Sequence, residues 1–215
     1  MNKYLAELIG TFALVFCGCG AIIVDQISGG AIGHMGISTT FGLIITVMIY
    51  ALGNVSGAHL NPAVSIAFWY AGVFERRLIL PYVLSQCIGA VLASAALWLL
   101  FPNATTTGAT LPSGSIGQSF GLEVILSFFL MFVIINVATG SKEQGLMAGL
   151  AIGFTVLLAA LFGGPISGAS MNPARSLAPA LFMGELQDLW IYFIAPPIGT
   201  LLSIIAWKAL HQDSN

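Results

Sequence analysis

Two ten-residue stretches hold most of the chemistry this sequence can do. Residues 56–65 read SGAHLNPAVS, and 111 positions later residues 167–176 read SGASMNPARS. Asparagine is a preferred N-cap and proline suits the first helical position, so Asn61-Pro62-Ala63 and Asn172-Pro173-Ala174 each read as the start of a helix. An asparagine amide has two ends. Its carbonyl can cap backbone N–H groups while its NH₂ stays a fixed donor, here expected to point into a cavity. The stretches before each turn, SGAHL and SGASM, are expected to be extended. Their carbonyls need partners, and lining a wet passage supplies them. Gly57, Ala58, His59, Gly168 and Ser170 are the candidate lining residues. One difference between the copies is large: Val64 in the first is Arg175 in the second. Arginine brings five donors and a permanent charge.

Carboxylates recur as well. Glu7 opens ELIGTFALVF (7–16) and Glu123 opens EVILSFFLMF (123–132). Two roles suit such residues: ion or proton coupling, or acceptance of hydrogen bonds from loop N–H groups. Their matching repeat positions favour the second, a loop-holding role. No nucleophile–base set and no metal-ligand spacing occurs, so neither an enzyme nor a metal or cofactor site is expected.

These groups sit in a chain that is 58% hydrophobic and 7% charged. Soluble domains carry about 25% charged residues. Six basic and eight acidic residues cannot build a solvated surface, so lipid must be the solvent over most of the outside. The net charge of -2 argues against a nucleic-acid partner. Cys17, Cys19 and Cys87 lie in apolar runs and read as small hydrophobes without a disulfide framework. The N-terminal run, with Glu7 inside it, does not read as a cleavable signal.

Six segments are long enough to span a hydrocarbon core, near 4–24, 34–53, 80–101, 118–139, 145–163 and 188–209. They are too continuously apolar for barrel strands, which predicts an all-α membrane bundle. Gly145, Gly149 and Gly153 recur every four residues and predict a close helix approach on one face. Lys3, Arg76, Arg77, Lys142 and Lys208 all fall on one side of such a bundle. The positive-inside rule then places both termini in the cytoplasm, and a plasma (inner) membrane is the expected location. Arg175 alone departs from that rule. Asn103-Ala104-Thr105 fits a glycosylation sequon in an outer loop, a tripeptide common by chance.

The paired motifs make the chain two halves of three spans, one channel domain over 1–215 with repeats near 1–101 and 117–215. An odd number of spans per half inverts the second, and such folds place their site at the midplane between repeats. About ten residues follow each Asn-Pro-Ala, roughly 15 Å of helix, or half a membrane. Two half-helices entering from opposite faces would meet at their asparagines as a seventh, broken span.

The two Asn-Pro-Ala turns, the arginine after the second, the Glu-x-x-x-Thr/Ser in each half and the six spans resemble the aquaporin (major intrinsic protein) family. TLPSGS (110–115), GLMAGLAIG (145–153) and PISGASMNPARSLAPA (165–180) are similar to its nodulin-like members and their bacterial relatives. The resemblance implies a homotetramer with one pore per subunit, passing small neutral solutes passively. It also implies an outer constriction, which spacing to the turns assigns to Phe41, Ala160, Ala169 and Arg175. Two alanines there leave a wide opening, so water, glycerol and metalloid acids such as boric or arsenous acid are expected to pass. A strictly water-selective channel and a coupled secondary transporter are the alternative readings.

Overall fold

A helix satisfies its own backbone, which is what lipid demands of a spanning segment. The computed structural model describes residues 2–211, and these form eight helices and no strand. They are α1 (Asn2–Ile27), α2 (Gly33–Ser56), α3 (Pro62–Ala71), α4 (Arg76–Leu100), α5 (Ile116–Thr139), α6 (Lys142–Ser167), α7 (Pro173–Met183) and α8 (Leu189–His211). Six contain apolar spans of 23 to 26 residues. At 1.5 Å per residue each exceeds the roughly 30 Å hydrocarbon core. The protein is an integral membrane protein, and its large exposed apolar residues suit lipid. On α4 they recur one turn apart as Leu80, Leu84, Ile88 and Leu92.

The remaining two helices, α3 with 10 residues and α7 with 11, are half a membrane long. Exchanging α1 with α5, α2 with α6, α3 with α7 and α4 with α8 maps each packed pair onto a packed pair. Thus α1 lies on α4 as α5 lies on α8, and α3 touches α8 as α7 touches α4. Three spans in each half invert the second half relative to the first.

Bare backbone marks the closest approaches. A Cβ on Gly89 would stand 2.3 Å from the Leu8 carbonyl oxygen, and one on Gly199 would stand 2.2 Å from that of Val124. Gly42 and Gly153 face each other across α2 and α6, each leaving no room for a side chain at the other's carbonyl. Of the three glycines expected to pack tightly, Gly149 sits under the Tyr50 ring and Gly153 meets Gly42. Gly145 does not take part. It is exposed with open space where a Cβ would be, although Tyr50 Oη still reaches the Leu146 carbonyl beside it.

The spans also run past their sequence-derived ends. α6 continues through Pro165 to Ser167, and α2 continues to Ser56, so only four residues before each asparagine are non-helical. Proline lacks the N–H that would bond the carbonyl four residues back. That orphan is Leu161 O, and the His34 ring Nε2 lies 2.8 Å from it. A side chain from α2 thereby replaces the missing helical donor.

Gly89→Ala and Gly199→Ala each force a methyl against a backbone carbonyl, and overpacking of this kind costs about 1–3 kcal/mol. Both are expected to lower the thermal unfolding midpoint in detergent. Gly117→Ala, with nothing within 4 Å, leaves the midpoint unchanged or slightly higher. Equal midpoints for all three variants would show that these contacts are dispensable.

Candidate functional site

The two loops before the half-helices share one backbone shape. Gly57 and Gly168 have φ of 83° and 80°, Ala58 and Ala169 of 46° and 42°, Leu60 and Met171 of 51° and 53°. Left-handed φ is unfavourable for residues with a Cβ and persists only where surroundings enforce it. Here two buried carboxylates enforce it. Glu7 accepts from Ser56 Oγ at 2.7 Å, His59 N at 2.9 Å, Leu60 N at 2.7 Å and Gln86 Nε2 at 2.8 Å. Glu123 accepts from Ser167 Oγ, Ser170 N and Met171 N, each at 2.8 Å. Ser56 and Ser167 in turn accept from Ala58 N and Ala169 N. Tyr82 and Tyr192 tie down the carbonyls of Ser56 and Ser167 at 2.8 Å and 2.7 Å. These tyrosines, the two serines and Gln86 were not singled out from the sequence. A signal was available, since Tyr82 and Tyr192 stand 110 positions apart, close to the spacing of the turns.

With their N–H groups taken up from behind, the loops present acceptors in front. Among the described residues no donor reaches the carbonyls of Gly57, Ala58, His59, Gly168, Ala169 or Ser170. All six residues line the main cavity. His59 also packs its ring against Phe68, Phe74 and Tyr82, with Nδ1 3.0 Å from Ser65 Oγ. At the matching position Ser170 Oγ donates to Asn172 O and lies against Ser176 Oγ.

The asparagines close the seam between halves. Asn61 Oδ1 accepts from Ala63 N at 2.9 Å, and Asn172 Oδ1 accepts from Ala174 N at 3.0 Å and Arg175 N at 3.3 Å. Their NH₂ groups are not wholly free for the cavity. Asn61 Nδ2 donates to Met171 O at 2.7 Å, and Asn172 Nδ2 donates to Leu60 O at 2.8 Å. Each amide thus caps its own half-helix, holds the opposite loop, and retains one hydrogen. Asn61 and Asn172 line the cavity, whereas Pro62, Ala63, Pro173 and Ala174 are buried behind them as the first helical turns.

The cavity measures about 880 Å³. Along α2 its lining runs from His34 to Asn54, twenty positions apart. That is about 30 Å of helix, the thickness of the hydrocarbon core. Phe41, Ala160, Ala169 and Arg175 all stand in its wall. The Arg175 guanidinium carbon lies 5.0 Å from the centre of the Phe41 ring. Arg175 is 3% exposed, and its Nη1 donates to Gly108 O at 2.8 Å. Gly108 belongs to the 101–115 connection, which in the sequence looks like a plain outer loop. It dips inward instead. Thr110 Oγ1 meets Ser176 Oγ at 2.7 Å, Thr107 Oγ1 donates to Pro179 O at 2.8 Å, and Ser113 N donates to Ile166 O at 3.0 Å. Cys17, Cys19 and Cys87 are free thiols.

A lined passage of membrane thickness between two inverted halves agrees with what related chains reveal. The family model described as Major intrinsic protein matches residues 1–207. The chain belongs to the major intrinsic protein family. It is 46% identical over 212 residues to aquaporin NIP1-1 of Zea mays, covering 98% of this chain and 75% of that one. It is 45% identical over 208 residues to nodulin-26 of Glycine max, covering 96% and 76%. Its fold matches the solved aquaglyceroporin from Plasmodium falciparum with a TM-score of 0.87 at 24% identity, over 96% of this chain and 95% of that one. Proteins of the aquaporin family are channels and not enzymes, and this chain is a channel of the nodulin-26-like branch.

Glu123→Gln and Glu7→Gln each put an amide NH₂ where a carboxylate oxygen now accepts, orphaning a loop N–H. A buried unsatisfied donor costs about 1–3 kcal/mol. Both variants are expected to melt earlier in detergent and to pass less water per incorporated protein. Wild-type melting and flux would refute a loop-holding role.

Proposed function

We propose that the protein is a passive pore for water and compact uncharged solutes, glycerol and metalloid acids such as boric and arsenous acid among them. The observation that carries this reading is the make-up of the cavity wall where Arg175 faces Phe41. Ala160 and Ala169 line the same cavity with methyl groups alone, and in this reading they complete that wall. Arg175, already bonded to Gly108, keeps further N–H groups for solute oxygens, and its charge opposes cations. Phe41 supplies an apolar face for carbon skeletons. Phe41, Ala160, Ala169 and Arg175 form the selectivity filter in this reading.

The central constriction lies at Asn61 and Asn172. Two half-helix N-termini meet there with their positive dipole ends, and each amide keeps one hydrogen for a passing oxygen. Gly57, Ala58, His59, Gly168 and Ser170 offer carbonyl or polar acceptors on either side. A solute exchanges acceptors for donors at the centre, where a cation meets only donors. Glu7 and Glu123 serve the loops and not a coupled ion, since each already accepts three or more hydrogen bonds.

The whole chain is one channel domain with inverted repeats near 1–101 and 117–215. The family resemblance supports a homotetramer with one pore in each subunit. The basic residues Lys3, Arg76, Arg77, Lys142 and Lys208 support cytoplasmic termini, and the membrane in this reading is a plasma (inner) membrane.

Proteoliposome shrinking assays with water, glycerol, boric acid and arsenous acid test this reading. All four are expected to permeate. Fast water flow with exclusion of all three solutes would instead make the channel strictly water-selective. Solute accumulation driven by a pH or sodium gradient would make it a coupled transporter. Ala160→His fills the alanine side of the wall and is expected to cut glycerol flux at least about tenfold, some 1.4 kcal/mol of added barrier, with a smaller effect on water. Equal losses for both would count against a filter at this level.

A further inference from the structure

α1 contributes none of the four filter residues, yet it lies directly behind two of them. A Cβ on Gly18 would stand 2.1 Å from Phe41 Cε1 and 2.4 Å from Cζ. One edge of the Phe41 ring therefore occupies the space a methyl group would take. The next residue, Cys19, is fully buried. A Cβ on Gly108 would stand 2.8 Å from Cys19 Cβ and 3.0 Å from its Cα, so the Gly108 backbone rests on Cys19. Cys19 Sγ lies 3.7 Å from Gly108 O, the same carbonyl that accepts from Arg175 Nη1. Consecutive residues of one helix thus back the two side chains that face each other 5.0 Å apart in the cavity.

The inverted half is built differently. The offset of Glu7 to Glu123 carries Gly18 to Ile134, and that of Gly42 to Gly153 carries Phe41 to Ile152. Both isoleucines line the cavity, and no glycine stands behind Ile152 at that position. An aromatic ring seated on a bare glycine of its repeat's first helix is therefore a feature of the first half alone.

We propose that Gly18 and Cys19 are positioning residues that set the aperture between Phe41 and Arg175, and with it the solute size limit. This inference rests on the filter reading above. The backbone of α1 is held by α2 and α4 and cannot retreat from an added methyl. The ring must move instead, away from α1 and into the passage. A larger residue at position 19 would push Gly108, and the guanidinium bonded to it, in the same way. Glycerol, wider than water, meets the added barrier first.

The test is flux per incorporated protein in proteoliposomes for water, glycerol and sorbitol. Gly18→Ala is expected to lower glycerol flux about tenfold, equivalent to about 1.4 kcal/mol of barrier, while water flux falls less than threefold. Adding Phe41→Leu removes the displaced ring edge and is expected to restore glycerol flux, a rescue that simple misfolding would not give. Cys19→Val is expected to show the same selective loss, and Cys19→Ser to keep wild-type selectivity. If Gly18→Ala does not fold, the Cys19 pair decides alone. Unchanged selectivity in the folded variants, equal losses of water and glycerol, or failure of the Phe41→Leu rescue would overturn the proposal. Phe41→Ala separates the two levels. If it leaves the glycerol–sorbitol discrimination unaltered, the filter reading itself fails. If it alters that discrimination while Gly18→Ala does not, only the role of α1 fails.

Discussion

A backbone that leaves the helix inside a bilayer must have every polar group answered, and Glu7 and Glu123 answer the two loops here. Each carboxylate takes the donors of one loop from behind. That single arrangement fixes six left-handed residues, four of which are not glycine: Gly57, Ala58 and Leu60, and their counterparts Gly168, Ala169 and Met171. It also leaves one row of carbonyls per loop without a protein donor. A passage for hydrogen-bonding solutes follows from that surplus of acceptors. Burying a carboxylate is costly unless it is fully hydrogen-bonded, and three or four donors for each meet that condition.

The frame is symmetric and the lining is not. Glycine contacts, tyrosine ties, asparagine bonds and loop dihedrals come in pairs related by the exchange of halves. Departures from pairing cluster where side chains face the cavity. Arg175 replaces Val64 and Phe41 replaces Ile152 in the lining, while one departure lies behind it, where Gln86 braces Glu7 and the other half has Pro196. Duplication supplies a stable scaffold, and a few unpaired side chains give its two ends different surfaces.

Much of the fold is legible in the sequence because lipid constrains it so strongly. Apolar length gives the spans, and the repeated Asn-Pro-Ala gives half-helices that meet. Contacts between distant segments are harder to read. Pro165 looks like a helix stop until His34, 131 positions earlier, is known to lie beside Leu161 O. Gly108 looks like a loop glycine until Arg175 is found bonded to its carbonyl. Gly145 shares the spacing of Gly149 and Gly153, but spacing does not reveal that no neighbouring atom comes close to it. The asparagine amides were read as free donors because their acceptors, Met171 O and Leu60 O, belong to the opposite half.

Those amide bonds also impose an order on assembly. Glu7 can fix the Leu60 loop as soon as the first half exists, since both belong to it. The Asn61 amide cannot be satisfied so early. Its partner, Met171 O, is 110 residues further along the chain, roughly 5–20 s of synthesis at about 5–20 residues per second. Until then α3 lacks both its facing half-helix and α8, on which it packs. The Asn61 amide and the face of α3 that packs on α8 therefore stay without their native partners until the second half of the chain has been made.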